Sequence, residues 1–198
     1  MLTFSLNTFI KICLQDTGEK VNEIKRKLDG SGGYDFYKPF KRAARAEFMG
    51  MPNDEVEGIL NAPSKDTERQ YNRAIYNSVI EKYGNKATVT PIDQKNTLTF
   101  HAHGIEISLD PIFSFEQSGM TQAFSVWCPL KPKLSQKYGA VACYLMRQAY
   151  SSSPLGNAQF FIYDAVENKT FSEKQIRPNT KIIFDTDLNT ISTLIKEL

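Results

Sequence analysis

Cysteine is scarce in this chain. Its three residues, Cys13, Cys128 and Cys143, include no CxxC pair. That count excludes a disulfide framework and a cysteine-built zinc site. They are expected to be buried small apolar residues in a reducing, cytoplasmic setting. Histidine is scarcer still, with only His101 and His103. No apolar run approaches the roughly 18–20 residues that a membrane-spanning helix needs, so no membrane partner is expected. The opening stretch MLTFSLNTFIKICLQ is interrupted by Thr3, Ser5, Asn7 and Thr8, and no small-residue cleavage site follows it. It reads as part of the fold and not as a leader. An excess of one charge is also missing. The net charge is +2, without the broad basic footprint of a strong nucleic-acid binder.

Apolar material is plentiful. Hydrophobic residues make up 41% of the chain and aromatics 12%, enough to offset the entropy of ordering and to exclude disorder. A length of 198 residues suits one domain with a helical extension. The hydrophobic period divides the chain. Leu6, Phe9, Ile10, Cys13 and Leu14 share a helical face, and Val21, Ile24 and Leu28 continue it beyond a break at Gly18. The run at 30–33 reads as a glycine-rich loop. Tyr37, Phe40, Ala44 and Phe48 mark a further helix with Pro39 in its first turn, and Glu55 to Leu60 a single turn. The clearest helix of this half spans 66–83 and stops at Gly84.

Past Gly84 the period becomes two. Leu98, Phe100 and Ala102, then Ile105, Ile107 and Leu109, then Phe113 and Phe115 alternate as in strands with one buried face. QSGM at 117–120 reads as a hairpin turn, with 122–127 the returning strand. Residues 135–151 form a second helix, capped by Ser135, with Val141, Leu145 and Met146 on its apolar stripe. QFFIYDAV at 159–166 is nearly all apolar, as expected of a strand buried on both faces. KIIFD at 181–185 reads as a last strand, followed by a helix capped by Asp187. The expected class is α/β, with α+β as the alternative. Helices come first, then an antiparallel three-stranded meander over 97–127, a packed helix and a further buried strand. The expected division is a helical region over 1–65 and a core over 66–198.

The order helix, three strands, helix, strand, together with the dipeptide Asp110-Pro111, resembles the PD-(D/E)xK, restriction-endonuclease-like superfamily over roughly residues 66–170. The resemblance implies metal-assisted phosphodiester hydrolysis, in which carboxylates on neighbouring strands and a following lysine hold Mg²⁺. Asp110 would be the first carboxylate. The strand QAFSVWCPLK should supply the second carboxylate and the lysine, and it does not. Gln122 is followed two positions later by Phe124, Lys131 lies beyond Pro129, and no acid occurs between Glu116 and Asp164. A metal held by Asp110, alone or with Glu116, would lack ligands. The resemblance therefore implies a nuclease-like scaffold with a degraded metal site, no bound cofactor, and a binding role toward nucleic acid or a protein partner. Two alternatives stand beside it. One is an active metal-dependent nuclease with relocated carboxylates, drawn from Glu81, Asp110 and Asp164. The other is a small adaptor or immunity-type protein without nucleic-acid contact.

Two basic groups stand out as binding candidates. Lys38, Lys41, Arg42 and Arg45 fall on one face of a helix, although a solvated helix face has the same pattern. The acid-free segment 117–163 carries Lys131, Lys133, Lys137 and Arg147. The first three precede or open a helix, where a phosphate would be favoured. His101 and His103, two apart on an expected strand, would share a face and are the weak metal candidates.

Overall fold

The computed structural model describes residues 1–30 and 34–198. Of the expected glycine-rich loop at 30–33, Gly30 is described, with φ at +72°; the other three positions lie outside the described residues. The chain opens with strand β1 (Leu2–Ser5). Helices α1 (Leu6–Leu14), α2 (Thr17–Leu28), α3 (Lys38–Phe48), α4 (Asn53–Asn61) and α5 (Asp66–Tyr83) follow. The strands β2 (Thr90–Pro91), β3 (Asn96–Phe100), β4 (Ile105–Leu109), β5 (Phe113–Gln117) and β6 (Met120–Trp127) lead to helix α6 (Gln136–Tyr150). The chain ends with β7 (Gln159–Asp164), β8 (Lys169–Ser172) and α7 (Thr180–Glu197). The class is α/β, with helices preceding most of the strands.

Local chemistry accounts for the main boundaries. The break between α1 and α2 falls before Gly18, because Asp16 caps α2 by accepting from the Glu19 amide at 2.9 Å. Pro39 sits in the first turn of α3, where a missing N–H costs nothing. Ser118 and Gly119 both have positive φ, the conformation that a two-residue hairpin between right-twisted strands requires. Ser135 caps α6 as expected, accepting from the Tyr138 amide.

The strand region divides where the simple alternation gives no sign of a division. β3 and β4 pair antiparallel in one sheet, ordered β1-β4-β3, in which β1 runs parallel to β4. β5 and β6 pair antiparallel in a second sheet, ordered β2-β5-β6-β7-β8. The chain passes between the sheets at Asp110-Pro111, where proline cannot continue a ladder. Helix α6 crosses over to bring β7 parallel to β6. KIIFD, read as a strand, is the first part of α7 instead. Its apolar residues Ile183 and Phe184 also fit a helical face, and short apolar runs do not separate the two periods.

Two cores result, one on each face of the second sheet. On one side Ala123, Trp127, Phe160 and Ile162 pack with α1, α2, α6, α7 and the first sheet. On the other, Phe113, Phe124, Val126 and Tyr163 pack against α3, α4 and α5. Alternate residues of β6 and β7 thus enter opposite cores, which explains the near-continuous apolar composition of β7. Phe113, Phe124 and Phe161 are cross-strand neighbours, with ring centroids 4.9 and 4.8 Å apart. The α6 stripe of Val141, Leu145 and Met146 is buried in the first core.

Gly139 marks the closest approach of α6 to β8. A Cβ there would lie 2.6 Å from Cγ and 2.7 Å from Cβ of Phe171, whose ring is itself buried. Gly139→Ala is expected to lower stability by about 1–3 kcal/mol through overpacking, more than the roughly 1 kcal/mol that alanine contributes to a helix. A methyl group added at Gly58 on α4 would meet nothing within 4 Å, so Gly58→Ala should gain most of that roughly 1 kcal/mol. Thermal melts of both variants check the pair; a Gly139→Ala protein that melts higher than wild type would contradict the packing account.

Candidate functional site

β1 and β6 end at the same place. Ser5 closes β1 and caps α1, its hydroxyl accepting from the Thr8 amide at 3.2 Å. The Asn7 side-chain amide donates to the Val126 carbonyl at 2.8 Å, which fixes the first turn of α1 against the end of β6. Pro129, Leu130 and Lys131 leave β6 beside it. In α/β sheets, ligands bind outside the carboxyl ends of the strands. A cavity of about 670 Å³ opens at this point, inside the size range of small-ligand sites.

Its lining is basic. Lys11 from α1, Arg26 and Lys27 from α2, Lys41 from α3, and Lys131 all face it, against the two carboxylates Glu23 and Asp35, a net of +3. Glu23 is shared between Lys11 at 2.5 Å and Arg26 at 3.8 Å. Asp35 holds the Lys41 ammonium at 2.9 Å. Lys131 is exposed at the rim. The first turn of α1 contains no acidic residue, and its free amides add a partial positive charge. The aromatic side chains Tyr34, Phe36, Tyr37 and Tyr71 complete the wall.

The candidate residues read from sequence scatter. Lys41 and Lys131 line this cavity; Lys38, Arg42, Arg45, Lys133 and Lys137 do not. Lys133 pairs with Glu167 at 2.9 Å, and the Lys137 ammonium lies 4.6 Å from the centre of the Tyr138 ring. Arg147 pairs with Glu173 at 2.7 Å and donates to the carbonyls of Gly156 and Ala158. Arg45 turns inward, with Nε donating to the Ile92 carbonyl at 2.8 Å, and Nη2 to Asp110 at 2.6 Å and to the Pro111 carbonyl at 3.0 Å. Lys11, Arg26 and Lys27 escape a reading of the sequence. Their spacing is that of ordinary cations near helix C-termini, where they complement the helix dipole, and only the tertiary fold brings them to Lys41 and Lys131.

The carboxylates do not converge. Asp110 faces Arg45, with Lys41 at 3.7 Å and Lys95 at 3.9 Å. Glu116 accepts from the Thr121 hydroxyl at the distal hairpin, and Glu81 is exposed on α5. Asp164 is buried at the end of β7, in register with Trp127 of β6. Among the described residues no three His, Cys, Asp or Glu side chains are grouped to hold a metal ion. The two histidines do not share a strand face, because residues 101–103 form a 3₁₀ turn that closes on Gly104 in the left-handed conformation. His103 instead pairs with Asn189 at 2.9 Å. Glycine at the turn exit stops the strand before the alternation can place both rings together. All three cysteines are free and buried, and burial pushes each thiol up from its ordinary range, away from the nucleophilic thiolate. Among the described residues no helix is long and apolar enough to cross a membrane.

Asp164 is the most buried carboxylate, at 1% exposure. One oxygen accepts from the Val166 and Glu167 amides at 3.1 and 3.0 Å, starting the turn after β7. The other makes no hydrogen bond of ordinary geometry among the described residues, with the Leu134 backbone amide its weak neighbour. Desolvation raises its pKa. A carboxyl whose pKa is raised on folding stabilises the fold most when protonated, and that contribution is lost as pH rises through the folded-state value. Asp164→Asn keeps an oxygen for the two amides and removes the charge. Its stability relative to wild type is therefore expected to grow as the pH rises above about 4. Denaturant titrations of both proteins across that rise measure the difference; a gap that narrows with pH would require a cation on the second oxygen.

Compared with protein-family models and with curated proteins, the chain matches none.

Proposed function

We propose that this chain is a non-catalytic binding protein on a nuclease-like α/β scaffold, and that it binds nucleic acid at the cavity where β1 and β6 end. The observation that carries this reading is the segregation of charge. A chain of net +2 concentrates a net +3 around one concavity. Phosphate neutralisation by lysine and arginine supplies most of the sequence-independent affinity for nucleic acid. Cations contributed by several separate segments suit a ligand whose charges recur along a backbone. The absence of catalysis rests on Asp110. Its carboxylate is already paired with Arg45 and lies close to Lys41. A metal-dependent hydrolytic site needs oxygen ligands free to hold a divalent ion, and more than one of them.

The test is a binding titration with a labelled oligonucleotide at several salt concentrations. Affinity should fall with salt at about 0.7–0.9 logarithmic units per phosphate contacted. The triple variant Lys11→Gln, Lys41→Gln, Lys131→Gln should bind more weakly and flatten that slope by roughly two units. Replacing Lys196 with glutamine, on the exposed end of α7, should change neither. The oligonucleotide should be recovered intact after incubation with Mg²⁺ or Mn²⁺. Weakening by Lys133→Gln and Lys137→Gln in place of the cavity variants would move the interface elsewhere. Failure of the wild type to bind at low salt would defeat the nucleic-acid reading and leave a protein partner as the ligand.

A further inference from the structure

Charge alone does not account for the other half of the cavity wall. Four aromatic side chains, Tyr34, Phe36, Tyr37 and Tyr71, line the same space as the five cations. They come from the segment before α3 and from α5, whereas the cations come mainly from α1, α2 and the turn after β6. Phe36 packs edge-on to Tyr37 at 5.1 Å and to Tyr71 at 6.2 Å between centroids. The cluster is thus pre-assembled, at a site that also carries charge.

Tyr34 departs furthest from an ordinary core aromatic. It is 71% exposed, and its hydroxyl donates to Glu68, a carboxylate that is itself only 4% exposed. Exposed rings normally sample several rotamers. This one is pinned at its tip while most of its ring stays in solvent, so little further ordering entropy is lost when a ligand packs on it. Burial holds the neighbouring Tyr37 phenol well above its ordinary range, so that ring stays uncharged at neutral pH.

We infer that the cavity selects single-stranded over duplex nucleic acid, drawing an unpaired base against the tyrosine wall while the adjoining phosphates meet Lys11, Lys41 and Lys131. The inference rests on the nucleic-acid reading above and specifies its substrate. Every base has a π-face, and stacking on aromatic side chains beside a cationic track is how single strands are held without regard to sequence. In a duplex those faces are covered by neighbouring bases. Its phosphates could reach the rim cations, but nothing would enter the cavity. A space of about 670 Å³ is suited to one extruded nucleotide and does not admit a double helix, whose major groove alone is about 12 Å wide.

The experiment compares a fluorescently labelled oligothymidylate with a thymidylate–adenylate duplex of equal length at low salt, on the full chain. The single strand should bind roughly tenfold or more tightly. Tyr34→Ala and Tyr71→Ala should each weaken single-strand binding by roughly 5- to 150-fold, the range of one lost base–aromatic stack. Both should leave duplex affinity and the salt slope unchanged. Tyr34→Phe, which keeps the ring and removes only the hydroxyl that pins it, should lose less affinity than Tyr34→Ala. Tyr34 is exposed, so its alanine variant keeps the test sound even where Tyr71→Ala melts early. Equal affinity for both polymers, or ring deletions without effect while the cation variants still weaken binding, would overturn the inference and leave the nucleic-acid reading standing. Absence of wild-type binding to either polymer would overturn both.

Discussion

The Arg45 guanidinium joins the two halves of this protein. It projects from α3 to the point where the chain leaves β4 for β5, and there it meets the Asp110 carboxylate and the carbonyls of Ile92 and Pro111. Those groups belong to the seam between the two sheets, where strand pairing satisfies none of them. Both charged side chains are largely buried, at 12% and 16% exposure. Removing Arg45 would leave Asp110 with the more distant Lys41 and Lys95, at a cost below the roughly 3–5 kcal/mol of a buried charge with no partner at all. Guanidinium suits the role because it is planar and carries several fixed donors, so one side chain can serve a carboxylate and two carbonyls together.

The cavity depends on this joint. Lys41 lies one turn before Arg45 on α3, and it is held between Asp35 and Asp110. Anchoring α3 to the seam therefore sets the position of a cavity cation, and through Asp35 that of the segment bearing Tyr34, Phe36 and Tyr37. From the other side, Asn7 ties α1 to the Val126 carbonyl. The site lies between two helices, each fastened to a sheet by a polar side chain whose partner is fixed backbone. Such attachment to rigid elements keeps a binding site in register without a ligand present.

Legibility from sequence follows the range of the interactions. Helices α5 and α6 and the 117–120 turn are readable because period, caps and turn residues lie within a few positions of one another. β1 is not, because four residues that pair only with Ile105–Ser108 carry no local signal beside the helical stripe that begins at Leu6. The division of the strands at Asp110-Pro111 is hidden for a similar reason. Alternation reports that successive side chains point to opposite faces and says nothing of which sheet a strand joins. Of the candidate site residues, Lys41 and Lys131 are legible as basic positions, but their meeting with Lys11, Arg26 and Lys27 is not. Asp110 stands out as a potential ligand, yet its nearest partner, Arg45, reads as part of a separate binding face. Sequence shows both charges and cannot show that they neutralise each other.

The same reasoning explains why the acid-free segment 117–163 is not itself the basic surface. Two of its four cations find acids that lie outside it in sequence: Lys133 meets Glu167 and Arg147 meets Glu173. What decides whether a cation serves a ligand is the number of carboxylates within a Debye length in space, about 8–10 Å at ordinary salt, and not along the chain. Around the cavity two carboxylates face five cations. Both are already engaged, Glu23 with two cations and Asp35 with one. An arriving polyanion would compete with them and exchange one set of ion pairs for another. On the proposed reading the balance would favour the phosphates, because each also releases counterions that the internal carboxylates do not. A divalent cation arriving at Asp110 would face the opposite balance, having to displace the guanidinium that fastens α3 to the seam between the sheets. On the proposed reading, binding without hydrolysis would follow from where this fold has used its carboxylates.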